Sequence, residues 1–241
     1  MRIVIGAPVA LRAWALPTWF DRLARQTRQP DGFAFVHSGL AHDETWTTIQ
    51  HEAALRGFRP VALRHHPAAP HARHDNARFK TLATVRNLLL ETARKMDADA
   101  LLSLDTDVML DNPCTIERLE DLLEQGWDTA SAITWLHPRG KGSWAFNAGM
   151  LGLGQGETQA WYRPDREIAE SGETVQIQVP MAITLLGPRA IRCRYRAHES
   201  GEDIGYAQDL HAHGLRCAWD TALEATHVWS EQHLPGYLGS A

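Results

Sequence analysis

Ala100-Leu101-Leu102-Ser103-Leu104-Asp105-Thr106-Asp107 is the stretch on which the fold turns. A short, mostly apolar run followed at once by two carboxylates reads as a strand buried on both faces that ends at solvent. Open α/β sheets bind their ligands outside the carboxyl ends of such strands. Taken alone, the Asp-x-Asp pair also fits a turn or a helix cap, the ordinary places for aspartate.

Upstream, Leu82, Val85, Leu88, Leu89 and Met96 recur at helical spacing between Arg78 and Met96, with Arg86 and Asn87 on a different face from most of them. Before that helix the chain reads as a strand at Arg2–Ala7, a helix within Leu11–Arg28, a strand at Gly32–His37, a helix at Thr47–Arg56 and a strand at Pro60–Arg64. This β-α-β-α-β series favours a mainly parallel sheet. The segment from His65 to His74 reads as a loop. Its histidines, His65, His66, His71 and His74, have no i, i+4 pair and read as solvated residues rather than metal ligands.

Downstream, Asn112-Pro113 marks a break, Thr115–Gln125 reads as a helix, and Thr129–Trp135 and Met150–Leu153 as strands. Strand and helix both fit the segment from Trp161 to Arg196. Glu202-Asp203 opens a helix through Ile204, Ala207, Leu210 and His211 that Gly214 stops, and Leu215–Trp219 and Ala222–His227 follow as two short extended pieces.

At 241 residues with 44% hydrophobic content, the chain can bury one full core. A formal net charge of -5 disfavours nonspecific nucleic-acid binding as the main role. Cys114, Cys193 and Cys217 are too few and scattered for a disulfide framework, so reduced thiols are expected. No apolar run approaches a membrane span and the N-terminus carries no signal pattern, which points to the cytoplasm. Gly6 does not begin a Gly-x-Gly-x-x-Gly run and no Walker-type loop occurs, so nicotinamide, flavin and P-loop sites are disfavoured.

The succession resembles the GT-A nucleotide-sugar-dependent glycosyltransferases, particularly the family-2-like group. It runs from a strand-first N-terminus through Arg86-Asn87, Asp105-Thr106-Asp107, Phe146-Asn147-Ala148-Gly149 and Glu202-Asp203 to Gly214 and a late His227. The resemblance implies one α/β GT-A domain over 1–241, a Rossmann-like, mainly parallel central sheet flanked by helices. Residues 1–110 would form the nucleotide-sugar-binding half and 111–241 the acceptor-binding half. Asp107 and His227 would hold Mn²⁺ or Mg²⁺, with Asp105 on the metal or the ribose and sugar; an imidazole ligand leans toward Mn²⁺.

Asp203 would be the general base, and Glu202 would orient it or bind the acceptor. Ala7, Pro8 and Val9 would lie under the base or ribose, and Arg12 and Arg86 would reach phosphate or uracil. Asp75, Thr106, Asn147 and Gly149 would adjoin the nucleotide sugar. Two of the chain's nine tryptophans, Trp144 and Trp229, would stack on sugar or acceptor. The implied reaction moves a sugar from a UDP-sugar, or a GDP-sugar, to a hydroxyl of a saccharide, small molecule or nucleic acid. For the last of these, Arg64, Arg73 and Arg78 would supply a basic face. A metal-dependent phosphohydrolase using Asp105, Asp107 and His227, and a noncatalytic sugar- or nucleic-acid-binding module, are the alternatives.

Overall fold

The computed structural model describes residues 1–39, 43–67, 76–137, 148–151, 161–162 and 166–240. Its first half follows the alternation expected from the apolar runs: β1 (Ile3–Val9), α1 (Leu16–Ala24), β2 (Gly32–Ser38), α2 (Thr45–Leu55), β3 (Val61–His66), α3 (Asn76–Lys95) and β4 (Ala100–Leu104). There follow β5 (Val108–Leu110), α4 (Thr115–Glu124), β6 (Thr129–His137), β7 (Ala148–Leu151), β8 (Trp161–Tyr162), α5 (Arg166–Ala169), β9 (Thr174–Ile177), β10 (Val179–Pro180) and β11 (Ile183–Leu186). A 3₁₀ turn at Ala190–Arg192 leads to α6 (Glu202–Ala212) and β12 (Cys217–Val228), and a second at Glu231–His233 leads to α7 (Leu234–Ser240).

The central sheet has the order β3-β2-β1-β4-β11-β6-β12-β5, with β9 beside β12. β3, β2, β1 and β4 are parallel to one another, as are β6 and β12. β11 is antiparallel to both β4 and β6, and so joins two parallel groups into one mixed sheet. β10, β7 and β8 form a separate three-stranded antiparallel sheet.

Both faces of the central strands β1, β2, β4 and β11 are covered, which is why they are continuous apolar runs. Along β1, Ile3, Ile5, Ala7 and Val9 enter one cluster with Trp19, Phe20, Phe33 and Phe35, whereas Val4 enters the opposite cluster with Val85, Leu89 and Leu101. Helices α1 and α3 therefore sandwich the strand by its period of two.

Three readings change. His65 and His66 belong to β3 rather than to a loop; His71 and His74 lie outside the described residues. The two extended pieces near the C-terminus are one strand, β12, with a register shift between Asp220 and Glu224. The unread region from Trp161 to Arg196 supplies β9, β10 and β11, of which β11 is buried along its whole length.

Candidate active site

The pairing of β1 with β4 stops at Gly6 opposite Ser103, so β1 extends past its neighbour at the carboxyl rim. Pro8, with no N–H to contribute to a ladder, lies beyond that point, and the side chains of Ala7 and Val9 remain buried in the core. β4 delivers Asp105 to this rim. The chain then turns, with the Val108 N–H donating to the Asp105 carbonyl at 3.0 Å, and Thr106 is buried within the turn.

β12 returns antiparallel to β5 with His227 opposite Val108, and the Val228 N–H donates to the Asp107 carbonyl at 2.8 Å. That register puts His227 Nε2 3.4 Å from Asp107 Oδ1. On the other side of the same carboxylate, Arg12 Nε donates to Oδ2 at 3.1 Å. Burial opposes ionisation of Asp107, but the His227 hydrogen bond and the charges of His227 and Arg12 outweigh it, and its pKa falls below the usual carboxylate range. Burial likewise works against a charged His227, and Asp107 reverses this, raising the imidazole pKa.

Arg12 is itself held in place. Its N–H donates to Thr45 Oγ1 at 2.9 Å, and the Leu11 N–H donates to Asp43 at 2.6 Å. Asp43 is held down to about 2: burial would raise it, but the N–H groups of Leu11 and Thr45, the Thr45 hydroxyl and His37 prevail. His37 in turn stacks on His65, with their Nδ1 atoms 3.1 Å apart. This network connects the ends of β2 and β3 to the loop bearing Arg12.

A second group of charges lies beside Asp105. Arg86, on α3, is only 7% exposed. Its Nε donates to Glu202 at 3.0 Å, its Nη2 to Asp105 at 3.3 Å, and one Asp203 oxygen lies 3.9 Å from Nε. Ser103 accepts from Nη1 at 3.4 Å, and the guanidinium lies 5.6 Å from the Tyr195 ring centroid. Tyr195 stacks on Tyr206 at 4.1 Å and is clamped by Asn87, which both donates to and accepts from its backbone at 2.9 Å. Burial works against the Arg86 charge, but Asp105, Asp203 and Glu202 raise its pKa well above the usual value. Arg86, expected to reach phosphate or uracil, is thus a buried hub engaged by carboxylates.

Glu202 and Asp203 open α6, where the helix dipole favours negative charge. Gly201 precedes them at φ +124°, a conformation that favours glycine. Gly205 allows the helix to lie against the backbone at Arg196: a Cβ there would come within 2.1 Å of the Arg196 carbonyl oxygen. Burial first, and then the Glu202 charge, push Asp203 up to about 7, against the pull of Arg86. Asp105 is also raised, by burial opposed by Arg86. Behind these groups a cavity of ≈ 10 Å³, bordered by Arg86, Ser103, Thr184, Asp203 and Tyr206, has room for about one water.

Four carboxylates therefore share this rim with two guanidiniums and the His227 imidazole. Asp107 and His227 are an oxygen–nitrogen donor pair at a separation fitting a common ion. Asp105 does not join them as it stands, being turned toward Arg86. The one set of three ligand atoms within 4.8 Å of each other among the described residues lies elsewhere.

Trp229 is 42% exposed beside His227, with ring centroids 5.5 Å apart. Gly149 is in β7, paired with Val179 of β10. Asp75, Trp144, Asn147 and Arg73 lie outside the described residues. Of the residues expected to form a basic face, Arg64 pairs with Glu91 at 3.2 Å. Ser103, Asp43, Tyr195 and Tyr206 were not anticipated; Tyr195 falls in the segment whose sequence fits strand and helix equally.

The chain is similar to S. aureus TarS 1-349 in complex with UDP, with a TM-score of 0.63 at 12% identity, covering 97% of this chain and 62% of that one. The complex of TarS 1-349 with UDP-GlcNAc gives 0.63 at 14% identity, covering 98% and 61%. The fold is GT-A. This GT-A chain spans about three fifths of the length of those TarS structures. No protein-family model and no curated protein matches it. Among the described residues of the GT-A domain, no helix is long and apolar enough to cross a membrane.

Proposed function

We propose that this chain is a glycosyltransferase that moves a sugar from a nucleoside-diphosphate donor, a UDP-sugar, to an acceptor hydroxyl, with Asp203 as general base. The observation that carries this reading is the opposite treatment of carboxylates at one rim. Asp107 is kept ionised by Arg12 and His227, whereas Asp203 is pushed up to about 7, where it can take a proton near neutral pH. A base is most effective when its pKa lies near the operating pH.

In this reading Asp203 removes the acceptor proton as the oxygen attacks the anomeric carbon, and the displacement inverts that centre. Glu202, held by Arg86, orients the base, and Arg12 offers its guanidinium to the diphosphate. Asp107 and His227 would hold Mn²⁺ or Mg²⁺, which as a Lewis acid would take up the charge that builds on the departing diphosphate, and Asp105, turned toward Arg86, would reach the metal or the donor's ribose and sugar only by leaving that pairing. The UDP and UDP-GlcNAc bound by S. aureus TarS, on the same fold, favour UDP as the nucleotide.

The test is thermal unfolding with UDP, GDP and dTDP, each with and without Mn²⁺. A ligand that binds only the folded state raises Tm by mass action. UDP with Mn²⁺ should give the largest rise. If no nucleotide shifts Tm in the presence of Mn²⁺, the reading fails.

A further inference from the structure

The N-terminal end of α6 carries the candidate base; its C-terminal end carries a different cluster. Asp209 and His213, four residues apart, project from one side of the helix end, and Cys193 lies just after the 3₁₀ turn that packs against it. Cys193 Sγ is 4.0 Å from His213 Nδ1, and that nitrogen is 3.9 Å from Asp209 Oδ2. The three ligand atoms lie within 4.8 Å of one another. Cys193 and Asp209 are buried, and the His213 side chain is 61% exposed.

We propose that Cys193, Asp209 and His213 form a binding site for a zinc-class divalent cation that ties the C-terminal end of α6 to the turn at Ala190–Arg192. A tetrahedral zinc with one sulfur, one nitrogen and one oxygen ligand at about 2.0 to 2.3 Å needs its ligand atoms roughly 3.3 to 3.7 Å apart. From 4.0 and 3.9 Å the two imidazole separations would close by about 0.2 to 0.7 Å, and the sulfur and carboxylate, within 4.8 Å of each other, would draw together as well. A thiolate with an imidazole and a carboxylate selects zinc-like ions over Mg²⁺ and Ca²⁺, which take oxygen. The exposed edge at His213 leaves the remaining position to water.

The surroundings support the donors. Asp209 is oriented through both carboxylate oxygens: the Arg194 N–H donates to Oδ2 at 2.9 Å and Arg196 to Oδ1 at 2.8 Å. Such outer contacts fix ligand orientation. Arg189, the other nearby cation, is paired with Asp128 at 3.1 Å. Without an ion, burial and then the Asp209 charge push the Cys193 thiol up to about 11, so it stays protonated. An ion binding here forms a sulfur–metal bond and releases the thiol proton to solvent. His213 exchanges the hydrogen bond from Nδ1 to the Asp209 carbonyl, 2.8 Å, for coordination, its proton residing on Nε2.

The experiment is titration of the full chain with Co²⁺, followed by Zn²⁺ displacement. A thiolate-to-cobalt charge-transfer band in the near ultraviolet should appear, vanish on adding Zn²⁺, and be absent in Cys193→Ser. His213→Ala alters an exposed side chain and should leave the fold intact while weakening Co²⁺ binding by at least about tenfold. Asp107→Ala should leave the band unchanged, since the candidate active site offers only oxygen and nitrogen donors. No band in excess Co²⁺, a band that survives Cys193→Ser and so arises from Cys114 or Cys217, or unchanged Co²⁺ affinity in His213→Ala would overturn the proposal. None of these outcomes bears on nucleotide binding.

Discussion

Asp107 and Asp203 are carboxylates at the same sheet rim, and the fold drives them in opposite directions. Asp107 meets Arg12 on one oxygen and His227 on the other, so each of its oxygens has a cationic partner. Asp203 shares Arg86 with Glu202 and Asp105, and its own oxygen is the most distant of the three, at 3.9 Å against 3.0 and 3.3 Å. One guanidinium cannot neutralise three carboxylates. Burial first, and then the neighbouring Glu202 charge that Arg86 does not offset, make Asp203 costly to ionise and so make it a base.

Replacing Asp203 by Asn tests this contrast most sharply. Turnover should fall by about two to four decades, the usual contribution of a positioned base, while the Tm rise given by UDP is preserved. Wild-type turnover should climb with pH through about 7. The stability signs also differ. Between about pH 4 and pH 7 the folded chain keeps a proton on Asp203 that the unfolded chain has released, so this group lowers stability as pH rises through that window. Asp107, lowered in the folded state, contributes stability above about pH 4 that is lost as pH falls through its folded pKa. Asp203→Asn should therefore flatten the decline of Tm that this group causes between about pH 4 and 7; an unchanged slope would locate that proton elsewhere.

Arg86→Met removes the shared cation. Leaving buried carboxylates uncompensated costs about 3 to 5 kcal/mol, read as a lower urea midpoint, and Arg86→Lys should recover part of it. A loss below about 1 kcal/mol, the scale of a surface pair, would show that the hub is dispensable.

Gly205→Ala probes the seating of α6. Overpacking of this kind typically costs about 1 to 3 kcal/mol, and the contact is with backbone, which cannot rotate away. Turnover should fall with stability as Asp203 is displaced, while the pairing of Asp107 with His227, on other elements, should leave the Mn²⁺ dependence of UDP binding intact. If Gly205→Ala kept full turnover, exact placement of α6 would not matter to the base.

The sequence exposed different parts of this arrangement unequally. β1, β2 and β4 were legible because each is a short, mostly buried apolar run and helical periodicity separates them, whereas β3, at the sheet edge and only half-buried, continues through His65 and His66 where apolar patterning stops. β12 was divided into two pieces because its register shift falls between Asp220 and Glu224, where local sequence no longer looks like one strand. β11 was obscured by its four-residue length and by Gly187-Pro188 directly after it, although it completes the centre of the sheet. Arg86 is assigned by resemblance to phosphate or uracil, since nothing within a helix signals that three carboxylates, from the end of β4 and from α6, will surround it.

Local sequence determined what depends on neighbours along the chain: the strand–helix alternation, the carboxylates at the end of β4 and the acidic opening of α6. Tertiary structure decided which charges meet. The return of β12 beside β5 joins His227 to Asp107 across 120 positions of numbering, and the approach of α6 to α3 makes Glu202 and Asp203 compete for Arg86. The physical reason is that apolar periodicity is written in consecutive residues, whereas the ionisation of a buried carboxylate depends on distances of 3 to 4 Å between segments that are remote along the chain.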